Sequence, residues 1–426
     1  MTGMNNPRTN PSRYPLDRAR QLREAVLSTF CDPVSEQCLL LLQLSDAEWH
    51  QLLLWLDTSG LALYFFDRLS QLGLGGLLPP QVVARLQQNL IDNTARMHAM
   101  ISESAEIQRA FQSAGMVYAT LKGFSLWPHS VPALELRSQL DLDFLMAESS
   151  AQQARRILEA RGYLLRAISG RSWEFKKDES AGTSLRDLYK ALSHRTVELH
   201  IETDSAGGDA LLSRIERRYF HGIDMPVLSP IDLFLGQGQH LYKHVCSEFS
   251  RTAHLIEFRR HVMMRAGDHA FWRELRSHAE QRPIAPIALG VVTLLIGQVM
   301  GSFAPELLTN WTVNRLPPAA RLWVELYGRQ SVFAPFPGNK MYLLLQKELE
   351  TAGIAKRRSL RRALLPLRLP PAVVQASVNE TFAARLRRYR GQLRFIFFRL
   401  RFHAVEGFRY LIEFLRWRQH LNGLAQ

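Results

Sequence analysis

The hydrophobic period changes twice along the chain. From Leu16 to Ser113 apolar residues recur every three or four positions, in "DAEWHQLLLWLDTSGLALYFFDRLSQL" and in "PPQVVARLQQNLIDNTARMHAMISESAEIQRAFQSAG". That spacing lines one face of a helix. "GLGGLLPP" reads as the loop between them, with Pro79 and Pro80 opening the second helix and Gly115 closing it. Past Gly115 the period drops to two. "MVYATL" (116–121), "LDLDFLM" (140–146), "YLLRAI", "SWEFKKD" and "TVELHIE" (196–202) read as strands. One helix, "SAQQARRILEARGY", interrupts them, with Ser149 or Ser150 as N-cap and Gly162 just beyond its end. Helical spacing returns from Pro230 to about Gly353. The pattern predicts an α+β fold, a small mixed sheet embedded between N-terminal and C-terminal helical regions. The expected segments are a disordered lead-in (1–15), an N-terminal helical region (16–115), an α/β core (116–228), a C-terminal helical region (229–353) and a tail (354–426).

Charge changes the picture only at the tail. The chain of 426 residues carries a formal net charge of +14, and 13 of those excess charges lie beyond Ile354. In "ARLRRYRGQLRFIFFRLRF" the apolar positions Leu386, Tyr389, Leu393, Ile396/Phe397 and Leu400 make a stripe, while Arg387, Arg394 and Arg401 repeat every seven. This is a basic amphipathic helix, followed by another around "VEGFRYLIEFLRW" and preceded by a proline-rich linker, "LPLRLPPAVV". An anionic membrane surface, a nucleic-acid backbone and the protein's own acidic face are the three partners it could meet. The Phe, Leu and Trp content favours a membrane surface or partner protein over DNA, and no base-reading motif is present, so sequence-specific DNA binding is not expected. Between Arg282 and Glu306 no residue is charged, a length that could span a bilayer. Prolines, glycines, Gln298 and Ser302 dilute it, and a buried helix is the stronger reading. With no secretory signal and three sparse cysteines, the expectation is a cytoplasmic protein, peripheral at the inner membrane face if the tail binds lipid.

The candidate chemistry lies in the alternating segments. Residues two apart on a strand share a face. Asp141 and Asp143 therefore project together, away from Leu142 and Phe144. In "TVELHIE", Glu198, His200 and Glu202 do the same. If the two strands are neighbours, Asp141, Asp143 and Glu198 converge, and divalent cations would relieve their repulsion. Upstream, "ATLKGFSLW" offers a Gly123 turn and Lys122 for a phosphate, and Arg137 could reach a phosphate oxygen. His240, Lys243 and His244 share a helix face. As a zinc pair the two histidines lack a nearby third ligand, and no Cys/His zinc spacing occurs, so a zinc site is not expected.

The order strand, Gly, D-x-D strand, helix, strands, acidic strand resembles the polymerase-β-like nucleotidyltransferase superfamily. "LKGFSLW", "LRSQLDLDFLM", "ILEARGYLL", "VELHIE" and "QHLYKHV" are most similar to its bacterial uncharacterised nucleotidyltransferase branch, over roughly Leu39 to Pro305. The resemblance implies a nucleotidyltransferase palm in which Asp141, Asp143 and Glu198 are catalytic and hold Mg²⁺, with Mn²⁺ as an alternative. It implies that Lys122, Gly123, Arg137, His200, His240, Lys243 and His244 bind nucleotide or phosphate. The expected reaction moves a nucleoside monophosphate from an NTP to an unidentified acceptor, such as a small molecule, saccharide or protein. The alternative is a catalytically inactive nucleotide-binding or scaffold protein of a membrane-associated biosynthetic complex. Ser125 departs from the family pattern because Phe124 separates it from Gly123, and Glu257 aligns loosely with a later family aspartate.

Overall fold

The computed structural model describes residues 18–177, 188–190, 196–203, 210–248, 251–334, 337–355, 359–365 and 381–424. The 1–15 lead-in and nearly all of the proline-rich linker lie outside the described residues. Strands β1 (Tyr118–Leu121), β2 (Asp141–Ala147), β3 (Leu164–Ser169), β4 (Ser172–Lys176), β5 (Thr196–Glu202), β6 (Ile215–Phe220) and β7 (Ile223–Leu228) form one sheet. Its order is β3-β4-β5-β2-β1-β7-β6. β2 runs parallel to β5 and antiparallel to β1, so the sheet is mixed and the fold is α+β. Periodicity finds the first five strands and misses the β6–β7 hairpin. Its tight turn is His221–Gly222, both at positive φ (44° and 80°), and it lacks the Asn-Gly or Asp-Gly pair that announces such turns.

On the N-terminal side lie α1 (Arg18–Ser28), α2 (Asp46–Ser59), α3 (Ala62–Gln71) and α4 (Pro80–Ser113). Ser45 and Glu48 form a capping box on α2, and Gly60, at φ 76°, ends it. α4 is 34 residues long, about 51 Å at helical rise. Val82 and Leu86, near its start, enter a helical core, while Met97, Met100, Ile107 and Phe111 enter a second core beneath the sheet. α5 (Ala151–Ala160) covers the sheet through Ala154 and Leu158. Gly162 follows it at φ 85°, as expected. Ser150 is the N-cap residue, as expected, but its side chain makes no capping bond, and a 3₁₀ turn over Glu148–Ser150 leads in.

The C-terminal side holds α6 (Pro230–Val245), α7 (Ala253–Met264), α8 (His269–Glu280), α9 (Ile284–Met300), α10 (Glu306–Thr309), α11 (Pro318–Trp323), α12 (Arg329–Phe333), α13 (Tyr342–Thr351), α14 (Leu360–Leu364) and α15 (Phe382–Leu424). The uncharged stretch is α9. Its Leu289, Val291, Val292, Leu295 and Ile296 are fully buried, and it packs on α6. No helix among the described residues is long and apolar enough to cross a membrane.

α15 docks its second half on the body along His403, Glu406, Tyr410, Glu413 and Trp417, at spacings of three and four. Lys340 Nζ, itself buried, donates to His403 Nδ1 (2.7 Å), and the Lys340 amide donates to Glu406 (3.3 Å). Tyr327 donates to Glu413 (3.1 Å), and Trp417 Nε1 donates to Glu348 (3.2 Å). Tyr410 and Trp417 are 1% and 0% exposed.

Candidate functional site

β1 ends at Leu121, and the chain turns sharply. Lys122 sits at φ 48°, ψ −153°, and Gly123 follows at φ 42°. Positive φ strains a lysine backbone and is held only where surrounding structure imposes it. A Cβ at Gly123 would also displace the Gln139 side-chain amide. That amide donates to the Asp141 carbonyl (2.8 Å), fixing the start of β2. Ser125 is buried and donates to the Lys122 carbonyl (2.7 Å), so its hydroxyl closes the turn. The turn brings Lys122 Nζ to 2.9 Å from Asp143 Oδ1.

The parallel register of β2 and β5 sets Asp143 opposite Glu198 and Leu145 opposite His200. His200 Nε2 lies 2.8 Å from Asp143 Oδ1 and 3.5 Å from Glu198 Oε2. One ligand atom each from Asp143, Glu198 and His200 falls within 4.8 Å of the others. Asp143 is buried, while Glu198 and His200 are half-buried. Glu202, the other acid on that face, spends its carboxylate on the amides of Leu211 (2.7 Å) and Leu212 (3.1 Å). The converging trio is thus Asp143, Glu198 and His200, with Asp141 beside it.

Electrostatics separates the two aspartates. Burial pushes the Asp141 carboxyl up to about 6, Asp143 and Glu198 add to the rise, and Lys122 opposes it. Burial would also raise Asp143, but the His200 hydrogen bond and Lys122 outweigh it and hold that carboxyl below its ordinary range. Burial works against the Lys122 charge, and Asp143 more than restores it. Lys122, and Arg137 more weakly, oppose the neighbouring carboxylates, and burial remains the main reason the Asp141 carboxyl is raised. The carboxylate oxygens of Asp143 and Glu198 suit a hard divalent cation, and the His200 nitrogen beside them is a softer donor.

Arg137 is close enough to Asp141 to lower its carboxyl, but its hydrogen bond goes to Glu257. It is largely buried, and its Nε donates to Glu257 Oε1 at 3.0 Å. The Tyr64 hydroxyl donates to the same oxygen (3.0 Å), and His254 Nδ1 lies 3.2 Å from Oε2. Burial would raise Glu257, yet Arg137, His254 and Tyr64 hold its carboxyl down at about 2. Tyr64 and His254 carry no sequence signal beyond the i, i+3 pairing of His254 with Glu257. On α6, the Nε2 atoms of His240 and His244 are 3.1 Å apart. The expectation that this pair lacks a third partner is corrected: α7 sets the His254 ring 5.3 Å from His240 and 5.1 Å from His244. Burial first, then the neighbouring histidines, Lys122 and Arg137, push the His240 imidazole far below its ordinary value. Lys243, between them in sequence, is exposed.

The family model described as uncharacterised nucleotidyltransferase matches residues 45–298, more than half of the chain. The chain belongs to the uncharacterised nucleotidyltransferase family. Every residue of the carboxylate cluster lies inside that match, as do α6 and α7, while α15 lies outside it. Among solved structures, this nucleotidyltransferase-family protein is similar to an antigenic nucleotidyltransferase-like protein from Paracoccidioides brasiliensis. The two are 12% identical with a TM-score of 0.28, over 49% of this chain and 94% of that one. No curated protein matches it.

Proposed function

We propose that this protein transfers a nucleoside monophosphate from an NTP to an acceptor, with Asp141, Asp143 and Glu198 holding Mg²⁺. The observation that carries the reading is the β2–β5 register, which stacks Asp143 on Glu198 beside the strained Lys122 turn. When bound, the metal supplies charge neutralisation at the reacting phosphate. The chain's own residues do the rest. Asp143 is held rigidly by burial and by His200. Lys122, about one-third exposed at its side chain, stands where it can exchange Asp143 for a phosphate oxygen. Pyrophosphate release with each NTP, with water, saccharide or protein offered as acceptor, tests the reading. Asp143→Asn should lower the rate at least about a thousandfold, since several kcal/mol of charge stabilisation are at stake. Undiminished release in that variant rejects the carboxylate assignment. NTP binding without release under any condition favours the inactive binder instead.

We further propose that α15 holds the protein at an anionic membrane surface. Leu386, Leu393, Phe397 and Leu400 are 60%, 66%, 70% and 64% exposed. Ten arginines lie along the helix, and its two acids, Glu406 and Glu413, turn inward to Lys340 and Tyr327. At about 1 kcal/mol per basic residue near an anionic bilayer, the attraction is reversible. Phe397→Glu with Leu393→Glu should abolish sedimentation with phosphatidylserine vesicles. Sedimentation unchanged by those charges would reject the surface.

A further inference from the structure

The family resemblance gives His240 and His244 of α6 a phosphate contact and gives His254 of α7 no task. His240 and His244 sit one helical turn apart, and their Nε2 atoms lie 3.1 Å from each other. His254 closes the group from the first turn of α7, and one ligand nitrogen from each ring lies within 4.8 Å of the other two. Two ligand nitrogens about 2.0–2.1 Å from a tetrahedral metal stand roughly 3.3 Å apart, so the first pair is already at ligation distance. His254 has the orientation a ligand needs. Its Nδ1 lies 3.2 Å from Glu257 Oε2, which makes Nε2 the nitrogen to ligate. Glu257 is in turn fixed by Arg137 Nε and the Tyr64 hydroxyl, both at 3.0 Å. A carboxylate behind a ligating imidazole sets its tautomer and strengthens it as a donor. Three imidazoles with such support suit a borderline transition-metal ion better than magnesium.

We propose that His240, His244 and His254 bind one zinc-class divalent ion through their imidazoles, not through the carboxylates of β2 and β5, which ties α6 to α7 and leaves a fourth coordination position open. A direct His240–His244 hydrogen bond accounts for that one distance. It does not account for a third imidazole turned inward and braced by a carboxylate.

The test uses the purified full chain, stripped with chelator and titrated with Co²⁺ and then Zn²⁺. One equivalent of Co²⁺ should give the visible absorption of a tetrahedral site, and one equivalent of Zn²⁺ should bleach it. His244→Ala and His254→Ala should each weaken Zn²⁺ binding at least about tenfold, and Glu257→Gln by about tenfold. Lys243→Ala, exposed on the same helix, and Asp143→Asn, in the other cluster, should leave the spectrum unchanged. A wild-type protein that takes up no Co²⁺ overturns the proposal whether or not the variants fold. So does a spectrum that survives His254→Ala. A spectrum lost in Asp143→Asn but kept in His254→Ala would move the ion to the carboxylates, and pyrophosphate release would be judged separately.

Discussion

The carboxylate face of the sheet and the basic C-terminal helix are both periodic, yet their patterns predict different amounts. On β2 and β5 the period of two separates acids from core residues, and backbone pairing decides what each acid meets. Asp143 faces Glu198 because the ladder leaves no other choice. On α15 the legible stripe, Leu386 to Leu400, stays exposed, and a second stripe docks. That second stripe mixes His403, Glu406, Tyr410, Glu413 and Trp417, which no hydrophobic count would select. A strand's partner is constrained by hydrogen bonds along its whole length. A helix satisfies its own backbone, so side chains alone choose the face. The charges run opposite ways too: acids gather at the sheet around one lysine, while the helix turns its acids inward and its arginines outward.

The largest effect should come from reversing this reading of α15. Trp417 is fully buried and bonded to Glu348, so Trp417→Ala should cost about 3–5 kcal/mol in urea unfolding. Phe397→Ala, on the exposed stripe, should stay within about 0.5 kcal/mol. Equal losses would mean that both stripes are packed and the contrast is false.

Next comes Glu257, in the buried network joining α3, α7 and the approach to β2. Its folded carboxyl titrates at about 2, below the unfolded value of about 4.3. It contributes stability that is full above that unfolded value and is lost as pH falls towards 2. The shift corresponds to about 3 kcal/mol. Glu257→Gln should lose that amount near neutrality and flatten the acid limb of stability against pH. An acid limb as steep as the wild type's would show that the network is not what holds the carboxyl down.

These contrasts locate what was legible. Asp141, Asp143, Glu198 and the Lys122–Gly123 turn could be picked out because strand parity and a glycine-bearing turn are local signals. His254 could not, since the third histidine reaches the pair from another helix, and contact between helices leaves no trace in spacing. Arg137 was visible as a cation, but its partner Glu257 lies 120 positions away. The hairpin of β6 and β7 was hidden by a His-Gly turn that reads like ordinary loop.

The smallest effect is the most discriminating at the sheet. Asp141 titrates at about 6 in the fold and at about 3.9 when unfolded. Between those values the folded protein keeps a proton that the unfolded chain has released, so this residue lowers stability as pH rises through the window, opposite in sign to Glu257. A divalent cation competes with the same proton. Mg²⁺ affinity measured by calorimetry should therefore rise by up to about tenfold per pH unit towards 6 and level off above it. Asp143, held below its ordinary range, is ionised throughout that window and adds no slope there. Asp141→Asn should bind Mg²⁺ more weakly and without the pH dependence. A wild-type affinity that is flat across the window would show that the cation does not use Asp141.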